Sequence, residues 1–253
     1  MASDRAEQAF LSVSALLFAA SAAVTIAWCA SMSALGEMPM PGGWTMSMAW
    51  LRMPGQTWPV AAASFLGMWI VMMVAMMLPS LVPMLRQYRP LGRLTALVGI
   101  GYLFVWTLVG MAAFPLGVAL AALEMQHPAL ARAVPIAAGV VVLIAGSLQF
   151  TAWKARHLAC YREAPRRGRT LPGDAGTMWR HGVRLGLHCV RCCANLIAIL
   201  LVIGLMDLRA MAVVAAAITV ERLAPAGERV ARATGAVVVG GGLLLIARAA
   251  GLG

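Results

Sequence analysis

Three of the chain's five cysteines fall within the hexapeptide His188-Cys189-Val190-Arg191-Cys192-Cys193. On a helix the steps i, i+3 and i+4 gather Cys189, Cys192 and Cys193 into one arc of about 100°. His188 and Arg191 lie beside them in sequence, and nearby positive charge favours thiolate, the form that binds metal. Three thiols on one face are candidate ligands for a soft ion. A second group of sulfurs lies in 68–77, where Met68, Met72 and Met76 recur every four residues along an arc of about 80°, with Met73 and Met77 next to them. A third is the Met-x-Met pairs Met38/Met40 and Met46/Met48, set among Pro39, Pro41, Gly42 and Gly43 in a stretch that reads as flexible and wet. Thioether is a soft, neutral donor that survives oxidising surroundings, and Cu(I) is the ion that prefers it. Methionine also serves as adaptable core filling, so the stripe gains weight only through its alignment with the cysteines.

The elements that must position these sulfurs are membrane helices. The 253 residues are 62% hydrophobic and 11% charged, with a mean hydropathy of +0.84, which leaves too little polar surface to cover a soluble globule. The expected fold is all-α, a polytopic transmembrane bundle forming a single domain over 1–253. Seven apolar runs suit a hydrocarbon core of roughly 30 Å: 10–32, 58–78, 94–121, 133–153, 188–206, 208–223 and 231–249. The sixth is short and carries Arg209 and Glu221-Arg222 at its ends, so a re-entrant or interfacial segment is the alternative there. The first run lacks the basic leader of a signal peptide and reads as a retained helix.

A net charge of +11 follows from topology rather than nucleic-acid binding, because the arginines sit in loops between apolar runs. Arg5, Arg86, Arg89, Arg93, Lys154, Arg156, Arg162, Arg166, Arg167, Arg169, Arg180, Arg184, Arg222, Arg229 and Arg232 collect on one side, whereas Arg52, Arg132, Arg209 and Arg248 fall on the other and Arg191 lies inside the fifth run. The positive-inside rule then places the N-terminus in the cytoplasm and the C-terminus in the periplasm of a bacterial inner membrane. On this topology 33–57 is an outer methionine-rich loop. The basic stretch 154–187 is a cytoplasmic loop whose Pro165, Gly168, Pro172, Gly173 and Gly176 argue against regular structure. Pro79 is expected to end or kink the second helix. Lys154 reads as a snorkelling side chain, and Glu221 and Arg222 as a pair at the inner surface. His157 and Cys160 are spaced i, i+3 and would add ligands if they faced the thiols.

Met68-Trp69 and Ala75-Met76-Met77-Leu78-Pro79-Ser80 in the second run, Thr151-Ala152-Trp153-Lys154 closing the fourth, Gly186 to Cys193 opening the fifth and Gly204-Leu205-Met206-Asp207 at its end together resemble an uncharacterised bacterial family, of unknown function, of predicted metal-binding integral membrane proteins. The likeness covers about 58–242. The resemblance implies a membrane bundle and a metal. The chain departs from the family pattern at Asp207, where Asn is usual, and at His188 and Arg191.

The leading expectation is a non-enzymatic protein that binds or translocates a soft metal, with Cu(I) the ion its sulfurs prefer. Its ligands would be Cys189, Cys192, Cys193 and His188, then Met68, Met72, Met73, Met76 and Met77, and the outer Met38, Met40, Met46 and Met48. Its partners would be the lipid bilayer and a soluble metal donor or acceptor. The alternative is an assembly subunit with a fixed zinc or an exchangeable thiol pair, for which Cys189 with Cys192 is better spaced than the strained adjacent pair. Haem is disfavoured because His127, His157, His181 and His188 all lie at the edges of apolar runs.

Overall fold

The structure is a computed structural model that describes residues 2–34, 36, 38–53, 55–92, 94–168 and 174–251. It is an all-α bundle of eight helices among the described residues: α1 (Ala2–Ala34), α2 (Trp58–Leu85), α3 (Leu94–Gln126), α4 (Pro128–Leu148), α5 (Ala152–Gly168), α6 (Ala175–Ile203), α7 (Leu208–Leu223) and α8 (Gly227–Ala249). A two-stranded hairpin, β1 (Met38–Met40) and β2 (Trp44–Met46), lies between α1 and α2. Six of the helices (α1, α2, α3, α4, α6 and α8) are long and apolar enough to cross a membrane. Leucines, isoleucines and valines such as Leu16, Ile100, Leu116 and Val237 point outward from them, which is compatible with a multi-pass membrane protein. α7, at 16 residues, is only about 24 Å long, the shortness that marked the sixth run. It still runs antiparallel to α6, from Met206 beside Cys29 to Arg222 beside Cys189.

Burial separates inner from outer helices. Half of the most apolar window of α2 and of α6 is buried, against 17% in α1, α3 and α8. The methionine face of α2 and the cysteine face of α6 therefore both turn into one buried core, while the outer helices present leucine to the surroundings. Backbone contact through glycine sets the spacing. A Cβ on Gly182 would lie 2.3 Å from the Val98 carbonyl oxygen and one on Gly186 2.9 Å from that of Tyr102, so α6 lies parallel and close to α3. Gly139 and Gly146 of α4 meet α8 near Gly242 and Gly235 in the same way, but antiparallel.

Four local expectations are corrected. The fourth helix stops at Leu148, and Thr151 Oγ1 accepts the Lys154 N–H at 3.3 Å, capping a new helix. That helix, α5, occupies the first part of the stretch read as irregular; Pro172 and Gly173 lie outside the described residues. α6 begins at Ala175 rather than His188, because the Asp174 carboxylate accepts the Thr177 N–H at 2.8 Å, and Gly182 and Gly186 serve its packing on α3. α2 continues through Pro79 and Pro83 to Leu85. The methionine-rich outer segment is a folded hairpin, not a wet flexible loop: Met38 faces Met46 across the register, and Met40 and Met46 are buried on Ala121 and Ala131. Trp44 Nε1 donates to the Ala131 carbonyl at 2.8 Å, tying the hairpin to the start of α4. Asp207 caps α7, accepting from the Arg209 and Ala210 N–H groups at 2.8 and 3.1 Å.

Candidate metal centre

Cys189 and Cys193 stand one turn apart on the buried face of α6, at 0% and 1% exposure. Their sulfurs are 3.7 Å apart, and the Cys193 thiol lies 3.0 Å from the Cys189 carbonyl oxygen, the usual back-bond of a small polar side chain in a helix. Two further groups converge on Cys189 Sγ. Tyr102 Oη, from α3, is 2.9 Å away, and Arg222 Nη2, from the end of α7, donates to it at 2.8 Å. The same Nη2 lies 3.5 Å from Cys193 Sγ.

The other limb of the guanidinium reaches α2 and α5. Arg222 Nη1 donates to Ser80 Oγ at 2.9 Å, lies 3.4 Å from Tyr161 Oη and 3.9 Å from Met77 Sδ. Its Cζ lies over the Tyr161 ring, 4.2 Å from the ring centroid. Ser80 in turn donates to the Met77 carbonyl. Arg222 is thus 4% exposed, with its charge facing sulfur and hydroxyl rather than a carboxylate. A buried cation needs an anionic partner or costs several kcal/mol, and in this pocket the available partner is the sulfur pair.

A second polar cluster closes the side next to it. Lys154 Nζ pairs with Glu221 Oε2 at 2.7 Å and donates to the Cys192 carbonyl at 2.6 Å. Gln149 Nε2 donates to the other Glu221 oxygen at 2.9 Å. Lys154 and Glu221 are both 1% exposed, so Lys154 does not snorkel, and Glu221 and Arg222 do not pair with each other. Adjacent residues on a helix point about 100° apart, which sends Glu221 to Lys154 and Arg222 to the thiols. Asn195 Nδ2 donates to the Ala145 carbonyl at 3.0 Å, linking α6 to α4.

The residues singled out in the sequence separate into those that meet here and those that do not. Cys189 and Cys193 form the pair, and Met77 reaches it through Arg222. Met68, Met72, Met73 and Met76 are all buried along α2, continuing that face toward the opposite end. Cys192 is buried beside Lys154 and contributes its carbonyl to that cluster. Among the described residues no three of His, Cys, Asp and Glu gather as a metal site. Arg191 is exposed and His188 half-buried, and both act on His157 of α5, whose pKa is lowered by burial first and then by Arg191, His188 and Arg156. The positive charge at the thiols comes from Arg222 instead. Cys160 is half-buried and free. Met38 is exposed, Met40 and Met46 lie under the hairpin, and Met48 lines a cavity at the other end of α2.

Sequence reasoning overlooked Arg222, Lys154, Tyr102 and Tyr161 as members of the centre. The available signal was Glu221-Arg222 closing an apolar run, since ionisable residues at membrane depth face the bundle interior.

The chain matches the family model described as PpoB2, copper chaperone, over residues 66–245. That stretch contains the thiol pair, Arg222, the Lys154–Glu221 cluster and the methionine face. No curated protein and no solved structure matches the chain.

Proposed function

The chain belongs to the PpoB2 copper chaperone family, and from that premise we propose that it holds Cu(I) between Cys189 and Cys193 and exchanges it along the methionine face of α2. Membership supports the metal-related family that the motifs suggested and gives the metal as copper. The observation that carries the reading is the buried sulfur pair, 3.7 Å apart, with a guanidinium 2.8 Å from one member. Cu(I) between two thiolates carries a net charge of minus one, and a full positive charge already stands against it. The loaded centre is then electrically balanced in a place where imbalance is expensive.

Met77 lies on the far side of the same guanidinium, and Met73, Met76, Met72 and Met68 follow within successive turns. Thioether binds Cu(I) more weakly than thiolate, so affinity rises toward Cys189 and Cys193. Exchange between neighbouring sulfurs needs no ATP-binding module, and the sequence contains no Walker motif. In this reading the protein is not an enzyme. It sits in a bacterial inner membrane with its N-terminus and thiol end toward the cytoplasm and its C-terminus in the periplasm, and it trades copper with a soluble donor or acceptor. The orientation is supported by the Lys and Arg bias.

Structural zinc would require about four ligands of the Cys, His or carboxylate type, whereas a pair of sulfurs with a neutral thioether nearby suits a monovalent soft ion. The test is copper retained by the full-length protein purified in detergent. Cys189→Ser with Cys193→Ser is expected to remove the tightly held copper, and Cys192→Ser to keep it. Unchanged copper in the double variant, or stoichiometric zinc in the wild-type protein, would overturn the reading.

A further inference from the structure

At the end of α2 remote from Arg222, five methionines from five separate segments surround a cavity of about 60 Å³. Met32 comes from the end of α1, Met48 and Met53 from the turn and loop that follow the hairpin, Met68 from α2, and Met206 from the link between α6 and α7. Met206 Sδ is also 3.8 Å from Cys29 Sγ. Four of the five methionines are half-buried and Met68 is buried, so the side chains that line the cavity are partly open to the surroundings rather than sealed in the core.

Packing does not account for this arrangement. Methionine is flexible and normally fills irregular gaps, yet here five of them leave one. The volume exceeds the roughly 10–15 Å³ that a water needs, but the polar side chains of the wall are few. They are Gln56, whose Oε1 already accepts the Met53 N–H at 3.4 Å, and Ser64. Among the described residues no carboxylate lines the cavity, so a divalent ion would enter without compensation from them, whereas neutral thioethers suit a monovalent soft one. The nearest cation in sequence, Arg52, is exposed and lies over the Trp58 ring, 5.6 Å from its centroid.

We infer that this cavity is a second Cu(I) site, built from thioethers and separate from the thiol pair. Met68 belongs both to its wall and to the buried face of α2, about 13 Å along the helix from Met77. The two sites are therefore the ends of one line of sulfur. The inference rests on the copper reading only for the identity of the ion; the site itself stands on its own geometry.

The experiment titrates full-length protein in detergent with Cu(I) against a colorimetric Cu(I) chelator. Wild-type protein is expected to take up two equivalents, Cys189→Ser/Cys193→Ser one, and Met48→Leu/Met53→Leu/Met206→Leu one, leucine being close to methionine in volume. Selenomethionine-labelled Cys189→Ser/Cys193→Ser protein, loaded with one equivalent, is expected to show selenium neighbours at the copper X-ray absorption edge. If the serine variant takes up none, or its copper has no selenium neighbour, the outer site is refuted and the thiol reading stands. Two equivalents held by the leucine variant would refute it as well. If instead the serine variant keeps all the copper of the wild type and the leucine variant loses it, the outer site is supported and the thiol reading fails.

Discussion

Replacing Arg222 by glutamine tests the charge balance of the thiol centre directly. The guanidinium Nη2 stands 2.8 and 3.5 Å from the two sulfurs, so the net negative charge of a copper ion held between two thiolates lies about 4 Å from the centre of the positive guanidinium. At an effective dielectric of about 20 a pair of unit charges at that distance interacts by about 4 kcal/mol, which corresponds to nearly a thousandfold in affinity. Arg222→Gln preserves much of the side chain's length and its ability to bond Ser80, but not the charge. Arg222→Lys keeps the charge and loses the fork that serves Cys189, Ser80 and Tyr161 together. The expected order of Cu(I) affinity, measured by chelator competition on size-exclusion-purified protein, is wild type, then lysine, then glutamine, with the last weaker by two to three orders of magnitude. If Arg222→Gln binds within threefold of wild type, the guanidinium does not balance the bound ion. If it binds more tightly, the arginine occupies the place where copper goes. Either result refutes the reasoning.

Lys154→Met leaves Glu221 buried with only Gln149 for company and is expected to cost about 3–5 kcal/mol, read as a lowered thermal midpoint in detergent; Lys154→Met/Glu221→Met should recover most of the loss. Gly182→Ala places a methyl group 2.3 Å from the Val98 carbonyl oxygen and should destabilise the α3–α6 contact by about 1–3 kcal/mol, whereas Gly240→Ala, which meets nothing, should be tolerated in the same assay. The lowered pKa of His157 means that the unfolded chain takes up its proton first as pH falls below the ordinary 6.5. Its contribution favours the fold above that value and diminishes as pH drops through the depressed folded value. His157→Asn should therefore flatten the change of thermal midpoint between about pH 5 and 7, and an identical pH profile in the two proteins would contradict this.

Much of the centre was legible before any tertiary contact was known. The i, i+4 spacing of Cys189 and Cys193 puts their sulfurs on one face of any helix, and the four-residue repeat of Met68, Met72 and Met76 does the same in α2. The apolar runs located the helices because backbone polar groups in a lipid-like environment can be satisfied only within a helix. Boundaries were less legible where a single cap decided them. Asp174 starts α6 thirteen residues ahead of His188, and Thr151 begins α5 in a stretch where Pro165 and Gly168 pointed to a loop. The hairpin escaped notice because three-residue strands carry almost no periodicity, and its stability comes from Trp44 and Met46 docking on α3 and α4.

What lies across from each face belongs to another order of information. Arg191 is two residues from Cys189 and points outward, whereas Arg222 is 33 residues away and bonds to its sulfur. Glu221 and Arg222 are neighbours in sequence, yet they serve two different clusters. A helix repeat determines the direction of a side chain relative to its own axis. It carries nothing about the rotation and depth at which another helix is set against it. Those are decided by contacts such as Gly182 on Val98 and Gly146 on α8, where the absence of a side chain lets two backbones approach. The amino-acid sequence by itself thus determined a sulfur-bearing membrane-type bundle. Only the packing of α7 against α2 and α6 decided that a buried positive charge stands between the thiols and the methionines.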